Sequence, residues 1–259
     1  MTSAPMADLA SKVVLVTGGL GGIGRSTARL LAEAGVHVVV TDLIDDGGAG
    51  LAAELSALGP RAVFRQADLT DEGQVEELVK HVIDDFGHLD GAFNNAGITQ
   101  SEKPVFELTS AEFDLVMRVN VLGTFHCVKQ EMLAMGSGGS IVITSSALGA
   151  TAFPDRAGYV TSKHALSGLT RAAAVDGAPL GIRVNAVLPG STRTPMAEAF
   201  FGSMDAAADR RAGTVHLLPR LAEPDEIGRA ARWLLSDEAS FVTGALLPVE
   251  GGATAGRRF

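Results

Sequence analysis

The sequence contains few residues of several types, and each shortage excludes a class of protein. A single cysteine, Cys127, rules out an intramolecular disulfide framework and favours a reducing compartment. No run of about 18 apolar residues occurs, so we expect no membrane-spanning helix. The first residues, MTSAPMADLASK, lack a basic segment followed by an apolar one, so no secretory signal is expected. Together these features predict a soluble, cytoplasmic protein.

Basic residues are also in the minority. Lys and Arg number 21 against 30 Asp and Glu, a net charge of −9, which argues against a nucleic-acid partner. Hydrophobic residues, in contrast, make up 46% of the 259 residues, enough for a large buried core and too many for a disordered chain. We find no linker or repeat, and expect residues 1–259 to form one domain that combines dinucleotide binding and catalysis.

Short β-branched runs alternate with longer helical patterns along the chain. The first two runs are almost continuously apolar, as strands covered on both faces are. The pattern predicts a Rossmann-like, doubly wound parallel α/β sheet of about seven strands with helices on both faces. The predicted strands are Val13–Thr17, His37–Asp42, Ala62–Gln66, Gly91–Asn95, Ser140–Ser145, Arg183–Leu188 and Ala245–Val249.

The segment from Pro189 to about Arg220 differs in character from the rest. It is polar at first and then apolar and aromatic, with Met196 and Phe200 among its large side chains. Long irregular insertions of this kind are commonly lids or binding loops. We expect a substrate lid near residues 190–220.

Glycine is abundant, with 31 residues, and five of them fall between Gly18 and Gly24. That turn follows the first strand and opens a helix, where backbone N–H groups and the helix dipole favour a phosphate. Asp42 closes the second strand, where a carboxylate accepts hydrogen bonds from an adenosine ribose and repels a 2′-phosphate. The glycine-rich turn and Asp42 together predict that the cofactor is NAD(H) rather than NADP(H). A merely tight turn, and an aspartate that only caps its strand, are the alternatives.

Tyr159 and Lys163 are four residues apart in a helical pattern spanning Ala157–Gly177, so they share one face. A nearby ammonium stabilises a phenolate and makes tyrosine a usable acid or base. Ser146 ends the fifth strand, where parallel strands meet the ligand crevice, and its hydroxyl could orient a substrate oxygen. A Tyr–Lys pair on a helix surface without function is the alternative.

These motifs in this order resemble the short-chain dehydrogenase/reductase family, over Lys12 to about Gly252. The motifs are TGGLGGIG (Thr17–Gly24), Asp68-Leu69, NNAG (Asn94–Gly97), Asn120, TSS (Thr144–Ser146), YVTSK (Tyr159–Lys163), RVNAVLPG (Arg183–Gly190) and GALLPVEGG (Gly244–Gly252). The chain departs from the family pattern at Glu250, where an aspartate is usual.

The resemblance implies a role for each matching residue. Tyr159 would be the general acid/base, Lys163 would lower its pKa and bind the nicotinamide ribose, Ser146 would hold the substrate oxygen, and Asn120 would hold a relay water within one long helix. The implied NAD contacts are Gly18, Leu20, Gly21, Gly22, Ile23, Asp42, Leu43, Asp68, Leu69, Asn95, Ala96, Gly97, Tyr159, Lys163, Pro189, Gly190, Thr192 and Thr194. The resemblance also implies a homotetramer built through the long helices and the C-terminal segment.

The predicted reaction is hydride transfer between a nicotinamide and a secondary alcohol or its ketone. The expected pocket is mostly apolar, which predicts a lipophilic substrate, with cyclic alcohols among the candidates, unless Arg156 or Arg193 faces inward. Its expected residues are Ile98, Ser146, Leu148, Phe153, Tyr159, Met196 and Phe200. The histidines show no metal-binding spacing, so no metal is expected. An NADPH-dependent ketoreductase and a non-catalytic dinucleotide sensor are the competing hypotheses.

Overall fold

The computed structural model describes residues 7–202 and 204–256. Within those residues, seven strands form one parallel sheet in the order β3-β2-β1-β4-β5-β6-β7. The strand order reverses between β1 and β4, and ligands of such sheets bind where the order reverses, beyond the carboxyl ends of the strands. The strands are β1 (Val13–Thr17), β2 (His37–Asp42), β3 (Ala62–Gln66), β4 (Gly91–Asn94), β5 (Gly139–Thr144), β6 (Ile182–Pro189) and β7 (Leu246–Val249).

Helices cover both faces of the sheet because alternate residues of each strand point to opposite sides. Val14 and Val16 of β1 belong to the core cluster that includes residues of α1, α2 and α9, whereas Val13 and Leu15 belong to the cluster with α3, α5 and α6. The helices are α1 (Gly22–Glu33), α2 (Gly48–Ser56), α3 (Glu72–Phe86), α4 (Ser110–Met117), α5 (Gly123–Met135), α6 (Ala157–Gly177), α7 (Pro195–Phe201), α8 (Ala206–Ala212) and α9 (Pro224–Leu235).

Local signals account for several element boundaries. The sequence Thr109-Ser-Ala-Glu112 is typical of a capping box, and the structure contains it at the start of α4. The Thr109 hydroxyl accepts from the Glu112 N–H at 3.2 Å, and Glu112 accepts from the Thr109 N–H at 3.0 Å. The strand predictions agree with the structure to within one residue at each end, and helix α6 has the predicted bounds.

Among the described helices, none combines the length and the apolar composition that a membrane span requires.

Two expectations need correction. Asn120 does not lie inside one long α-helix, because a π-helical turn at Arg118–Leu122 separates α4 from α5. The segment near residues 190–220 is not irregular throughout, because it contains α7 and α8. Both short helices begin at side-chain caps, Thr194 and Asp205, that accept hydrogen bonds from first-turn N–H groups.

Candidate active site

The glycine-rich turn between β1 and α1 is packed too closely for larger residues. Gly18 has a φ of +60°, and a Cβ added there would lie 2.7 Å from the Ala96 Cα. A Cβ on Gly24 would overlap the Gly18 carbonyl. The N-cap of α1 is Gly21, which has no side chain to occupy the N–H groups of the first turn. Those N–H groups therefore suit the oxygens of a pyrophosphate, so the residues present fit a dinucleotide.

Asp42 faces this turn from the end of β2. One carboxylate oxygen accepts from the Leu20 N–H at 3.1 Å and the other from the Leu43 N–H at 2.8 Å. The aspartate thus caps its own strand end and also binds the glycine turn. Leu43 beside it is 56% exposed and brings no positive charge. A carboxylate in this position suits a ribose hydroxyl and opposes a 2′-phosphate.

Thr17, which the sequence reasoning did not single out, fixes the NNAG segment against the turn. Its buried hydroxyl accepts from the backbone N–H groups of Asn95 at 3.0 Å and Ala96 at 3.1 Å. The Asn95 amide in turn donates to the Gly18 carbonyl at 3.2 Å. The only sequence signal was a threonine closing an otherwise apolar strand.

Tyr159, Lys163 and Ser146 come together at the carboxyl end of β5. Lys163 lies one turn after Tyr159 on α6, and its Nζ is 5.5 Å from the centre of the Tyr159 ring. The same Nζ donates to the Thr144 carbonyl at 2.9 Å. Ser146 follows β5, forms a side-chain hydrogen bond with Tyr159, and accepts from the Leu148 N–H at 3.1 Å. The three predicted side chains therefore converge at the carboxyl end of β5.

Burial shifts the pKa values of both Tyr159 and Lys163. It raises the pKa of Tyr159, while the hydrogen bond to Ser146 and the positive charge of Arg156 act in the opposite direction. Burial also lowers the pKa of Lys163 to about 8, and this side chain is 3% exposed. Both groups thus have pKa values set by their surroundings, as acid–base residues of active sites commonly do.

Asn120 lies fully buried in the π-helical turn, next to the Lys163 amine. Its Oδ1 accepts from the Ile98 N–H at 2.8 Å, and its Nδ2 donates to the Ile98 carbonyl at 3.0 Å and to Ser162 at 3.0 Å. A Cβ on Gly97 would lie 3.1 Å from Asn120 Oδ1 and 3.5 Å from Lys163 Nζ. The Asn120 side chain therefore holds the segment after NNAG in contact with helix α6.

Arg156 and Gln100, neither of them predicted as site residues, attach the start of α6 to the same segment. The Arg156 guanidinium is 9% exposed and donates to the Thr99 hydroxyl at 2.9 Å; it also pairs with Glu102. Gln100 Oε1 accepts from the Tyr159 N–H at 2.8 Å. These contacts join residues more than 50 positions apart, so sequence spacing gave no signal of them.

Two groups of the implied NAD contacts follow strands near opposite ends of the sheet: Asp68 and Leu69 follow β3, whereas Gly190, Thr192 and Thr194 follow β6. Asp68 accepts from the N–H of Thr70 at 2.9 Å, so it stabilises its own turn, and Leu69 packs against Gly123. Pro189 ends β6, and the residues after it lead towards Thr194, whose side chain would be 2.7 Å from a Cβ on Gly22. The phosphate turn and the segment after β6 therefore meet.

The apolar side chains predicted for the pocket are at least partly accessible where the structure describes them. Ile98 and Leu148 are partly buried, whereas Phe153 and Met196 are 44% and 45% exposed. The side chain of Phe200 lies outside the part of the structure that is described. Among the described residues, no cluster of His, Cys, Asp and Glu is placed to hold a metal ion.

The two arginines that the sequence left open both pair with carboxylates, although the charge of Arg156 is also felt by Tyr159. Arg156 is engaged with Thr99 and Glu102, as above. Arg193 donates to both carboxylate oxygens of Asp209, at 2.6 and 2.7 Å, and to Glu223 at 2.8 Å. Both guanidinium groups thus have carboxylate partners.

A buried carboxyl lies behind the NNAG segment. Glu131 of α5 is fully buried, and its Oε2 accepts from the Asn94 amide at 2.7 Å. Glu131 Oε1 and Asn94 Oδ1 are both buried without a hydrogen-bond partner in the described structure. Burial raises the pKa of Glu131 to about 8. A proton on this carboxyl would convert an unpartnered acceptor into a donor beside the unpartnered amide oxygen.

The fold and this site define a class: a Rossmann-type oxidoreductase with a nicotinamide dinucleotide cofactor. A family model described as enoyl-(acyl carrier protein) reductase matches residues 18–254. The chain is 46% identical to 2,5-dichloro-2,5-cyclohexadiene-1,4-diol dehydrogenase of Sphingobium indicum, covering 96% of this chain and 100% of that one. It is 37% identical to cyclohexanol dehydrogenase of an Acinetobacter species, covering 94% and 95%.

A solved structure agrees with these relatives. The crystal structure of levodione reductase superposes with a TM-score of 0.88 at 35% identity, covering 95% of this chain and 98% of that one. The chain belongs to the short-chain dehydrogenase/reductase family. The resemblance drawn from the sequence motifs is confirmed, as is the Rossmann-like parallel sheet.

Proposed function

We propose that this protein is an NAD(H)-dependent dehydrogenase of lipophilic, cyclic secondary alcohols that also reduces the corresponding ketones. The observation that carries the proposal is the convergence of Tyr159, Lys163 and Ser146 at the carboxyl end of β5, beside the NNAG segment. A non-catalytic dinucleotide sensor would need no such convergence.

The chemistry follows from the positions of these groups. An oxidised nicotinamide bound beside this group would supply the hydride acceptor and a positive charge that favours the phenolate. Tyr159 removes the hydroxyl proton of the alcohol, and in reduction its phenol returns a proton to the carbonyl oxygen. The Ser146 hydroxyl donates a hydrogen bond to that same oxygen and orients it. The Lys163 amine, held by the Thr144 carbonyl, stabilises the phenolate through its positive charge.

Replacement of Tyr159 by Phe tests this assignment. We expect turnover to fall by at least about a hundredfold, because a positioned acid/base contributes about 10²–10⁴. NADH affinity, measured by fluorescence titration, should stay close to that of the wild type. A Tyr159→Phe protein that binds NADH and turns over at near the wild-type rate would refute the proposed role.

The preference for NAD(H) is proposed from Asp42. Its carboxylate lies against the glycine turn through Leu20, and a 2′-phosphate there would meet a negative charge. We expect kcat/KM for NADH to exceed that for NADPH by at least about tenfold, equivalent to about 1.4 kcal/mol. Asp42→Ser should narrow the difference, whereas Asp45→Ser, on the exposed loop after β2, should not. A wild-type preference for NADPH would favour the ketoreductase hypothesis instead.

The substrate class is proposed from the apolar pocket residues and from the relatives. Ile98, Leu148 and Met196 offer apolar surface, and two relatives are named as dehydrogenases of a cyclic alcohol and a cyclic diol. We propose that the segment near residues 190–220, with α7 and α8, closes over this substrate as a lid. A panel of cyclohexanols, acyclic alcohols, sugars and hydroxy acids tests the class; turnover of only sugars or acids would reject it.

We also propose a homotetramer with one interface on the apolar groove between α5 and α6. Val121, Leu122 and Phe125 line it with Leu169, and Leu122 and Phe125 are 40% and 44% exposed. Apolar patches of this kind commonly mark an interface. Light scattering should give a lower mass for Phe125→Glu than for the control Val105→Glu. A monomeric wild type would contradict the proposal. The cytoplasmic location stays a prediction from the sequence.

A further inference from the structure

His216, which the catalytic group does not use, lies buried beneath the segment that follows β6. The side chain is 5% exposed. Its Nδ1 is 2.9 Å from the Arg220 carbonyl, and its Nε2 is 3.2 Å from the Ser191 backbone nitrogen. A carbonyl only accepts and a backbone N–H only donates. Nδ1 must therefore carry the proton, and the Nε2 lone pair accepts from Ser191.

The imidazole is also one wall of a narrow slot that holds Gly190. A Cβ added to Gly190 would lie 2.8 Å from His216 Nε2 and 2.9 Å from the Glu250 Cα. The backbone after β6 thus passes between the imidazole and the segment after β7, with no space for a side chain. The Glu250 carboxylate itself points away to Thr254, whose hydroxyl donates to it at 3.0 Å.

The chain that continues from His216 to Ala222 also binds the backbone of Ser191 and Arg193. The Ser191 carbonyl accepts from the Ala222 N–H at 2.9 Å, and the Arg193 N–H donates to the Ala222 carbonyl at 2.9 Å. Of these three contacts, only the one with His216 comes from a side chain. A substitution can therefore remove the hydrogen bond at Ser191 and leave the two backbone bonds to Ala222 in place.

We propose that His216 is a positioning residue for the nicotinamide end of the dinucleotide. Through the Ser191 N–H and the Gly190 slot it fixes the segment Pro189–Thr192, which faces the phosphate turn across Thr194 and Gly22. The inference rests on the proposed function, because it requires that a nicotinamide dinucleotide binds at this edge of the sheet. His216 touches neither substrate nor the reacting atoms; it acts by holding backbone.

Two substitutions of His216 each keep one of the two hydrogen bonds of the imidazole and remove the other. The His216→Gln amide oxygen can replace Nε2 as an acceptor for Ser191. The His216→Asn amide nitrogen can replace Nδ1 as the donor to Arg220 but leaves Ser191 without an acceptor. Replacement of the exposed His164 by Asn is the matched control. Gly190→Ala perturbs the same contact from the opposite side without changing His216.

The test is titration with NADH and, separately, with ADP-ribose, which lacks the nicotinamide. We expect His216→Asn and Gly190→Ala to weaken NADH binding by about tenfold, the effect of one lost buried hydrogen bond, while ADP-ribose binds as in the wild type. His216→Gln should restore NADH affinity to within about threefold. Unchanged ADP-ribose affinity also shows that each variant is folded.

The results distinguish this inference from the proposed function. Equal weakening of both ligands would mean that His216 has only a structural role, and unchanged NADH binding in His216→Asn would mean that it has none; either overturns the inference. A wild-type protein that binds neither ligand would overturn the proposed function and this inference with it.

Discussion

The buried pair formed by Glu131 and Asn94 leads to a measurable dependence of stability on pH. If the carboxyl is ionised, Glu131 Oε1 and Asn94 Oδ1 are two acceptors without a donor in a fully buried place. Replacement of Glu131 by Gln supplies a permanent amide donor of the same shape. The variant therefore imitates the protonated carboxyl at every pH.

The magnitude follows from the raised pKa. Burial raises the pKa of Glu131 from 4.5 to about 8, so the folded state keeps a proton that the unfolded state loses between those values. Stability consequently falls as pH rises through this window, and it is constant below and above it. At 1.36 kcal/mol per pH unit, the loss in the free energy of unfolding reaches about 5 kcal/mol above pH ~8.

Urea unfolding, followed by the fluorescence of Trp233, measures the effect. At about pH 8.5 we expect the free energy of unfolding of Glu131→Gln to exceed that of the wild type by several kcal/mol, and at about pH 5 by no more than about 1 kcal/mol. Glu77→Gln, an exposed carboxylate on α3, is the control and should change neither value. A Glu131→Gln variant with the same stability difference at both pH values, or a less stable variant at the higher pH, would refute the reasoning.

Two further predictions concern the catalytic helix. Arg156→Met should raise the pKa of Tyr159, because the guanidinium charge lowers that pKa. Tyr159 is the only tyrosine in the sequence, so the absorbance of tyrosinate reports its titration directly. Arg118→Met is the control. An unchanged titration midpoint would contradict this. Lys163→Met should abolish turnover. It should also raise the free energy of unfolding at about pH 7 by up to about 3 kcal/mol. Burial lowers the Lys163 pKa from 10.5 to about 8, so the buried positive charge destabilises the wild-type fold below pH 8. Lower stability of that variant in urea unfolding would count against the calculation.

The sequence predicted those parts of the fold that depend on local patterns. Continuous apolar runs located β1 and β2, and the Thr109–Glu112 capping box located the start of α4. The Tyr159–Lys163 spacing could be interpreted because four residues span one helical turn. Each of these signals lies within a short window of sequence, so no knowledge of packing was needed.

Contacts between distant residues could not be predicted in this way. Glu131 and Asn94 are on α5 and β4, and nothing in the helical pattern of α5 distinguishes a buried carboxyl from an exposed one. The hydrogen bond from Ser191 to His216 likewise depends on how the segment after β6 folds back. The π-helical turn at Asn120 has no composition signal, since its residues are ordinary in an α-helix.

The segment from Thr194 to Leu221 has a small apolar cluster of its own, made of Ala208, Ala212 and Leu221 with Met204 packed against it. This cluster is separate from the two that cover the sheet. Because the segment carries its own core, its positions other than Thr194 and His216 can diverge without repacking the sheet. If the segment is the substrate lid proposed above, new substrate ranges arise by changes confined to this stretch, while the glycine turn and β5 stay as they are. Exchange of the stretch between relatives is accordingly a practical route to altered specificity.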